Sequence, residues 1–128
     1  MTDCRIRFKN ISKFYGDFKV IDDLNLDIDR GEFVSLLGPS GSGKTTLLMM
    51  LAGFESPSSG AIYVDGRAIN TVPSYKRNMG VVFQNYALFP HMTVGENVAF
   101  PLQMRGLGKA EIGKLVDKVL DMVQLSTM

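Results

Sequence analysis

Apolar and polar residues alternate in two segments near the start of the chain. The segments are residues 5–9, Arg-Ile-Arg-Phe-Lys, and residues 24–29, Leu-Asn-Leu-Asp-Ile-Asp. A period of two is typical of a strand with one face in the core and one in water, so we expect two antiparallel strands of a twisted edge sheet. A hairpin is predicted at residues 61–69, where Asp65 and Gly66 lie between two short apolar runs.

Two other segments are continuously apolar. Residues 33–37, Phe-Val-Ser-Leu-Leu, and residues 79–83, Met-Gly-Val-Val-Phe, are short enough to be single strands. Continuous apolar runs are typical of strands covered on both faces, so we expect two buried strands of an α/β core. Residues 46–52 contain helix-forming residues and no breaker before Gly53, which predicts a helix.

The second half of the chain has two helical patterns. Thr93 and Glu96 have the spacing of a capping box, which predicts a helix through Phe100 that Pro101 kinks or ends. A second helix is predicted at residues 109–125, where apolar residues recur with the helical period. These apolar positions are Ile112, Leu115, Val116, Val119, Leu120 and Val123.

The loop before the first predicted helix carries candidate chemistry. Residues 38–45 read Gly-Pro-Ser-Gly-Ser-Gly-Lys-Thr and fit the phosphate-loop pattern G-x-x-x-x-G-K-S/T. Its glycines let main-chain N–H groups approach phosphate oxygens, and the helix N-terminus that follows is positive. Lys44 can reach the β- and γ-phosphates of a nucleotide, and Thr45 has a hydroxyl suited to Mg²⁺. A flexible Gly/Ser linker would not be flanked by a buried strand and an apolar helix. The candidate nucleotide-binding residues here are Ser40, Gly41, Ser42, Gly43, Lys44, Thr45 and Thr46.

Composition limits the class of protein. The 128 residues are 45% hydrophobic, which is enough for one domain with a core. Fourteen Lys and Arg against thirteen Asp and Glu leave a formal charge of +1, so we expect no nucleic-acid partner. The single cysteine, Cys4, cannot form an internal disulfide and favours a reducing, cytosolic setting. No apolar stretch approaches the roughly 20 residues that span a bilayer, so we expect no direct membrane insertion.

Three stretches together make the chain resemble the nucleotide-binding domain of an ABC transporter of the importer type. They are Lys-Phe-Tyr-Gly at residues 13–16, the phosphate loop and helix start at residues 38–48, and residues 81–98, which begin Val-Val-Phe-Gln-Asn-Tyr. Residues 86–91 and 101–106 most resemble importers of polyamines, with iron, sulfate and sugar importers close behind.

The resemblance implies ATP and Mg²⁺ as ligands, ATPase activity in the complete family, and an α/β fold. That fold would be a partial P-loop NTPase (RecA-like) core with an antiparallel β subdomain and the start of a helical subdomain. Residues 1–90 would hold the core and the β part, and residues 91–128 the start of the helical subdomain.

The resemblance also assigns residues outside the loop. Tyr15 matches the aromatic residue that stacks on adenine, although a strand aromatic also packs for ordinary reasons. Gln84 matches the glutamine of the Q-loop, whose amide oxygen binds Mg²⁺ or orients water. Lys44 and Gln84 are therefore the candidate catalytic residues, and Thr45 and Gln84 the candidate metal ligands. His91 matches no catalytic histidine of the family, so we expect a surface or packing role.

The implied partners are the transmembrane permease subunits of an importer and a second ATP-binding subunit. The protein would then be cytoplasmic, peripheral on the inner face of the cell membrane. In such importers the stretch matching residues 83–100 takes up a short helix of the membrane subunit. This would explain a non-periodic apolar cluster, although packing within the chain explains it equally well. The cluster is Tyr86, Leu88, Phe89 and Met92.

Three motifs of the family do not occur in the 128 residues: Leu-Ser-Gly-Gly-Gln, an apolar strand ending in Asp-Glu, and the switch histidine. The groups that activate water and anchor the metal are therefore incomplete. We expect this chain alone to bind ATP weakly at most and not to hydrolyse it. By resemblance, the strand at residues 33–37 would also have an exposed apolar edge, which predicts marginal stability.

Two other functions stay open on the sequence. One is a non-catalytic module that docks on a membrane partner. The other is an independent P-loop kinase or GTPase, in which Asp65 at the end of an apolar run would bind the metal. Because Gly66 follows, Asp65 is more typical of a hairpin turn.

Overall fold

The computed structural model of the protein describes residues 4–127 and divides the chain into two compact units. The first unit reaches Val81, and the second begins at Val82. Each unit has its own cluster of buried apolar side chains.

The first unit contains an antiparallel sheet of four strands among its described residues. The strands are β1 (Cys4–Tyr15), β2 (Phe18–Asp29), β3 (Ser59–Val64) and β4 (Arg67–Ala68), in the order β2-β1-β3-β4. Phe8 lies opposite Leu26 of β2 and Ile62 of β3, so the apolar positions of three strands share one face. The opposite face carries Arg7, whose guanidinium pairs with Asp27 at 2.9 Å. The hydrogen bond and charge of Asp27 raise the pKa of Arg7.

One helix, α1 (Lys44–Ala52), supplies the other half of this core. Leu47 and Met50 of α1 are buried against the apolar face of the sheet. Each such side chain contributes roughly 1.5–3 kcal/mol to folding when it is fully removed from water. The buried set of the first unit is Phe8, Ile11, Leu47, Met50, Ile62 and Ile69.

The second unit contains two helices in its described part, α2 (Val94–Met104) and α3 (Lys109–Met122). They pack through Ala99 of α2 and through Val116 and Leu120 of α3. Nowhere in residues 4–127 does a helix have the length and apolar character needed to cross a bilayer.

The predicted antiparallel strands and hairpin are confirmed. Residues 5–9 lie in β1 and residues 24–29 in β2, and the two strands pair with each other. The hairpin of β3 and β4 turns at Asp65 and Gly66, whose φ angles are 51° and 79°. The alternating pattern was sufficient because each of these strands has one face in water.

The two predicted buried strands are wrong for this structure. Residues 33–37 and 79–83 form no strand, and Phe33, Leu37 and Val82 are almost fully exposed. A strand needs a neighbour to complete its hydrogen-bond ladder, and no strand within residues 4–127 pairs with either segment. Leu36 and Met79 still pack, partly buried, against the core of the first unit.

Helix boundaries differ from the predicted ones at several ends. The helix predicted at residues 46–52 begins two residues earlier, at Lys44. The helix α2 runs through Pro101 to Met104, because Ala99 packs on α3 and proline removes a single helical hydrogen bond.

The end of α3 also lies before the predicted Leu125. Gln124 adopts a left-handed conformation (φ 62°), and the N–H of Leu125 donates to the Leu120 carbonyl at 2.7 Å. This is the geometry of a Schellman cap, which ends the helix while its apolar pattern continues.

Candidate functional site

The phosphate-loop sequence forms a tight turn at the start of α1. Gly41 and Gly43 have φ angles of 83° and 94°, a region that residues with a Cβ rarely adopt. The N–H of Ser42 donates to the Pro39 carbonyl at 3.2 Å and closes the turn. Gly43 is the N-cap of α1, so the loop leads directly into the helix.

The N-terminus of α1 is open in a way that the N-terminus of α2 is not. No side chain within residues 4–127 caps α1, and its first turn has no acidic residue. In contrast, Thr93 Oγ1 caps α2 by accepting the N–H of Glu96 at 3.1 Å. The first N–H groups of a helix have no acceptor inside it, and the helix dipole makes this end positive. The start of α1 therefore offers donors to an anion.

The ammonium group of Lys44 lies over the same turn. Lys44 Nζ donates to the carbonyl oxygens of Gly38 at 2.5 Å and Pro39 at 2.8 Å, and to Ser42 Oγ at 3.2 Å. A Cβ on Gly38 would lie 2.7 Å from Ser42 Oγ, so a side chain at that position would displace this hydroxyl. The loop thus holds a cation beside the open helix end.

Strand β2 packs against this loop. A Cβ on Gly43 would lie 3.1 Å from Cγ1 of both Val20 and Ile21. A cavity of about 410 Å³ adjoins the contact and is lined by Ile21, Lys44 and other residues of β2, the 35–37 segment and α1. Glycine at position 43 therefore serves both the turn and the close approach of the strand.

Tyr15 lies at the end of the hairpin formed by β1 and β2, opposite Phe18. Its side chain is 47% exposed, and the Lys13 ammonium lies over its ring, 5.1 Å from the centroid. Lys13 lies opposite Ile21 in the register of β1 and β2, and Ile21 packs beside Gly43. The arm that carries Tyr15 is thus the arm that contacts the phosphate loop.

Gln84 belongs to the second unit. It lies exposed in a turn, where the Tyr86 N–H donates to the Phe83 carbonyl at 3.3 Å. The structure thus gathers residues 40–46 at the start of α1 and places Tyr15 on a neighbouring arm of the same unit. Gln84 is in the other unit.

The apolar cluster that follows Gln84 divides into exposed and packed members. The ring of Phe89 packs on Phe100 of α2, with centroids 4.7 Å apart, and meets His91 edge to face at 6.1 Å. Tyr86 is 84% exposed, and Leu88 is also exposed. His91 is exposed, so the expected surface or packing role is confirmed.

Asn97 organises this loop and was not predicted from the sequence. Its Oδ1 accepts the N–H of Phe89 at 2.9 Å, and its Nδ2 donates to the carbonyl oxygens of Phe89, Met92 and Thr93 at 2.9 to 3.3 Å. An amide in a helix gives no sequence signal for such a role, because the acceptors are set by the path of the loop.

Arg77 is a second residue missed by sequence reasoning. Its Nη1 donates to the carbonyl oxygens of Met50 and Leu51 in the last turn of α1, at 2.8 and 3.0 Å. Its Nε donates to the carbonyl oxygen of Val72 at 2.8 Å. Burial lowers the pKa of the guanidinium. A cation at a helix C-terminus is stabilised by the dipole, so Arg77 fixes the far end of the phosphate-loop helix.

Asp65 does not resemble a metal ligand in the structure. Its two carboxylate oxygens accept from Arg5 at 2.6 Å and from Arg30 at 2.8 Å. No group of three or more His, Cys, Asp or Glu within residues 4–127 could hold a metal ion. The geometry favours the hairpin-turn interpretation of Asp65 over the kinase or GTPase interpretation.

Comparison with known proteins places these features in a family context. The family description "ABC transporter" matches residues 21–128. The spermidine/putrescine import ATP-binding protein PotA of Thermotoga maritima is 50% identical over 120 residues, and that of Nitrosomonas europaea is 54% identical over 121. These alignments cover 94% of this chain and 33% and 34% of the two relatives, so the chain spans about a third of their length.

Two solved structures have closely similar folds. Both are dimeric, one an ATP-binding cassette in a post-hydrolysis state bound to ADP and Pi, the other a bacterial ABC transporter cassette. Each has a TM-score of 0.82 and covers 93% of this chain and 57% of its own, at 32% and 33% identity.

Proposed function

This chain belongs to the ABC transporter family, and from that premise we propose that it is the ATP-binding part of an importer subunit. In the complete subunit, ATP binding and hydrolysis would be coupled to solute uptake. The two relatives described above are named for spermidine/putrescine import, so polyamines are the proposed solute.

The observation that carries the proposal is the open N-terminus of α1 with Lys44 beside it. The ammonium is held by two carbonyl oxygens and one hydroxyl, all neutral acceptors. Phosphate oxygens are negatively charged and form stronger hydrogen bonds with an ammonium group than neutral oxygens do. Lys44 Nζ would therefore bind the phosphates of a nucleotide in place of these loop acceptors. The N–H groups at the start of α1 would bind the same phosphates.

The base would bind at the hairpin arm. Tyr15 presents a half-exposed ring there, with Phe18 opposite it on the paired strand. An aromatic ring offers adenine a flat partner for stacking. The contact of Val20 and Ile21 with Gly43 fixes this arm to the loop that would bind the phosphates.

Thr45 and Gln84 are the proposed Mg²⁺ ligands. Both supply neutral oxygens, which Mg²⁺ accepts in combination with water and phosphate oxygens. When bound, the ion would neutralise charge on the β- and γ-phosphates. Thr45 is exposed at the start of α1, consistent with this assignment.

The proposed partners are transmembrane permease subunits and a second ATP-binding subunit, at the cytoplasmic face of the membrane. Two observations support them: both solved neighbours are dimeric, and Tyr86 and Leu88 present exposed apolar surface in the second unit. The division into a core with its β part, residues 1–90, and the start of a helical subdomain, residues 91–128, stays a prediction.

The test is ATP binding by calorimetry, with Lys44→Ala compared with Lys76→Ala. Lys76 lies in a short 3-10 helix, far from the loop in sequence. The variant Lys76→Ala is the matched control, because it also removes one positive charge. We expect Lys44→Ala to weaken ATP binding at least about tenfold, since it removes a charged donor to phosphate, and Lys76→Ala to have no effect. Equal affinity in both variants would contradict the proposal.

We also propose that the 128 residues release no phosphate from ATP, because their sequence lacks the carboxylates that activate water and anchor the metal. A phosphate-release assay on the same preparations tests this. Turnover that disappears in Lys44→Ala would show that the chain is catalytic and would refute this part.

A further inference from the structure

We propose that Lys13 is a positioning residue for base recognition, because it fixes the ring of Tyr15 and covers one of its two faces. This inference rests on the proposed binding of adenine at Tyr15. The proposed role of Lys13 follows from its contacts with Ser56, Glu55 and Tyr15.

The charge of Lys13 is held in place. Its side chain is only 13% exposed, although lysine side chains are usually solvated. Lys13 Nζ donates to the carbonyl oxygen of Ser56 at 2.6 Å and pairs with the Glu55 carboxylate at 3.2 Å. A cation with two fixed partners defines a position in space, which a flexible surface lysine does not.

That position is over the ring of Tyr15, 5.1 Å from its centroid. A cation at this distance attracts the electron-rich face of an aromatic ring and restrains its rotation. With the ammonium on one face and the side chain half exposed, the other face is the one that a base can reach. A purine would then meet a ring whose orientation is already set, which lowers the ordering cost of binding.

The anchor of Lys13 also connects the base end of the site to the phosphate end. Ser56 and Glu55 follow α1, the helix that begins with the phosphate loop. Hydrogen bonds join this segment to β1 on both sides of Lys13. The Ser58 N–H donates to the carbonyl oxygen of Ser12 at 2.9 Å, and Ser58 Oγ accepts the Phe14 N–H at 2.9 Å. Movement of α1 would therefore be transmitted to the support of the Tyr15 ring.

The hairpin contains a matched control for this arrangement. Lys19 Nζ lies 5.3 Å from the ring centroid of Phe14 and pairs with Asp22 at 3.1 Å. Phe14 and Tyr15 are neighbours in a strand, so their side chains leave on opposite faces. Lys19 thus makes the same kind of contact with a ring that has no proposed role in binding.

The experiment compares Lys13→Met with Lys19→Met, using ATP and inorganic triphosphate as separate ligands of the full chain. Methionine keeps most of the lysine stem and removes the charge. We expect Lys13→Met to weaken ATP binding about fivefold and to leave inorganic triphosphate unchanged, since triphosphate has no base. Lys19→Met is expected to change neither affinity.

A second variant, Glu55→Gln, keeps Lys13 and weakens its anchor, and covers the case in which Lys13→Met fails to fold. We expect Glu55→Gln to weaken ATP binding by a smaller factor, about twofold, and to leave the affinity for inorganic triphosphate unchanged. Unchanged ATP affinity, or an equal loss for ATP and triphosphate, would overturn the inference. If the unmodified chain bound neither ligand, the proposed function itself would fail, which is a distinguishable result.

Discussion

Gly43 is the residue at which backbone conformation, packing and the proposed chemistry meet. Its positive φ turns the chain into α1, and Val20 and Ile21 occupy the space where a side chain would lie. A single glycine therefore allows the phosphate loop, the helix N-terminus and strand β2 to come together.

We predict that Gly43→Ala destabilises the first unit more than Gly41→Ala does. Both alanines would be forced into a left-handed conformation, at a cost of about 1–2 kcal/mol. At position 43 the new Cβ would also crowd Val20 and Ile21 at 3.1 Å, and overpacking adds about 1 kcal/mol or more, whereas nothing lies within 4 Å at position 41. Urea unfolding without nucleotide measures the difference. Equal losses would show that β2 yields to the added methyl group.

Among the elements, the helix N-termini differ in how their free N–H groups are satisfied. α2 has a side-chain cap from Thr93 and an acidic residue, Glu96, in its first turn. α1 has neither within the described residues. The N-cap of α3, Gly108, also has no side-chain cap, but the first turn of α3 carries Glu111. Of the three α-helices in the described residues, α1 alone lacks both a cap and an acidic residue at its N-terminus, which leaves its N–H groups available to an anion.

We predict that Thr93→Ala destabilises α2 by about 1 kcal/mol, the usual cost of losing a side-chain cap. Thr93→Ser keeps the hydroxyl that accepts the Glu96 N–H and should retain most of the stability. Hydrogen exchange at the amides of Glu96 and Asn97 reports on this helix directly. Faster exchange in the serine variant, equal to that of alanine, would contradict a capping role.

For the whole molecule, the most consequential feature is exposed apolar surface. Phe33 is 92% exposed and Leu37 is 94% exposed, in a segment with the composition of a buried strand. An extended apolar segment of this kind can pair with another chain, so it is an association hazard.

We predict that Phe33→Lys reduces self-association without a loss of stability greater than about 0.5 kcal/mol, because the side chain contributes little to the core. Tyr75→Lys is the control, since Tyr75 is 81% exposed but lies in the short 3-10 helix outside the apolar run. Light scattering over a range of protein concentrations measures the effect. Identical scattering by the two variants would show that the segment does not drive association.

Much of the local structure was predictable from short-range pattern. The strands β1 and β2 and the helix α3 follow from periods of two or 3.6 with one face in water. The hairpin at Asp65 and Gly66 follows from its turn residues. The predicted cap at Thr93 was also confirmed, because Thr93 Oγ1 accepts the N–H of Glu96 three residues on. The reciprocal bond of a capping box differs, since Glu96 Oε1 accepts from the Thr93 hydroxyl and not from its backbone N–H. The family resemblance is confirmed by the comparisons, since motif order along the chain is itself sequence information.

Other features could not be derived from pattern. The predicted strands at residues 33–37 and 79–83 are absent, because a strand depends on neighbours that its own residues do not specify. Residues with several distant partners were likewise missed: Lys13 meets the segment after α1, Arg77 meets the end of α1, and Asn97 meets a preceding loop.

Sequence alone therefore determined the phosphate-loop pattern, the family, and the half-exposed strands, the hairpin and the α-helices, although not the short 3-10 helix at Ser74–Lys76. The folded structure decided which apolar runs are covered, which helix end is left open, and which charges are held against rings or carbonyl oxygens. The physical reason is range: turns, caps and amphipathic periods depend on neighbours a few positions away. Burial and multi-partner hydrogen bonds depend on residues that folding brings together from distant parts of the chain.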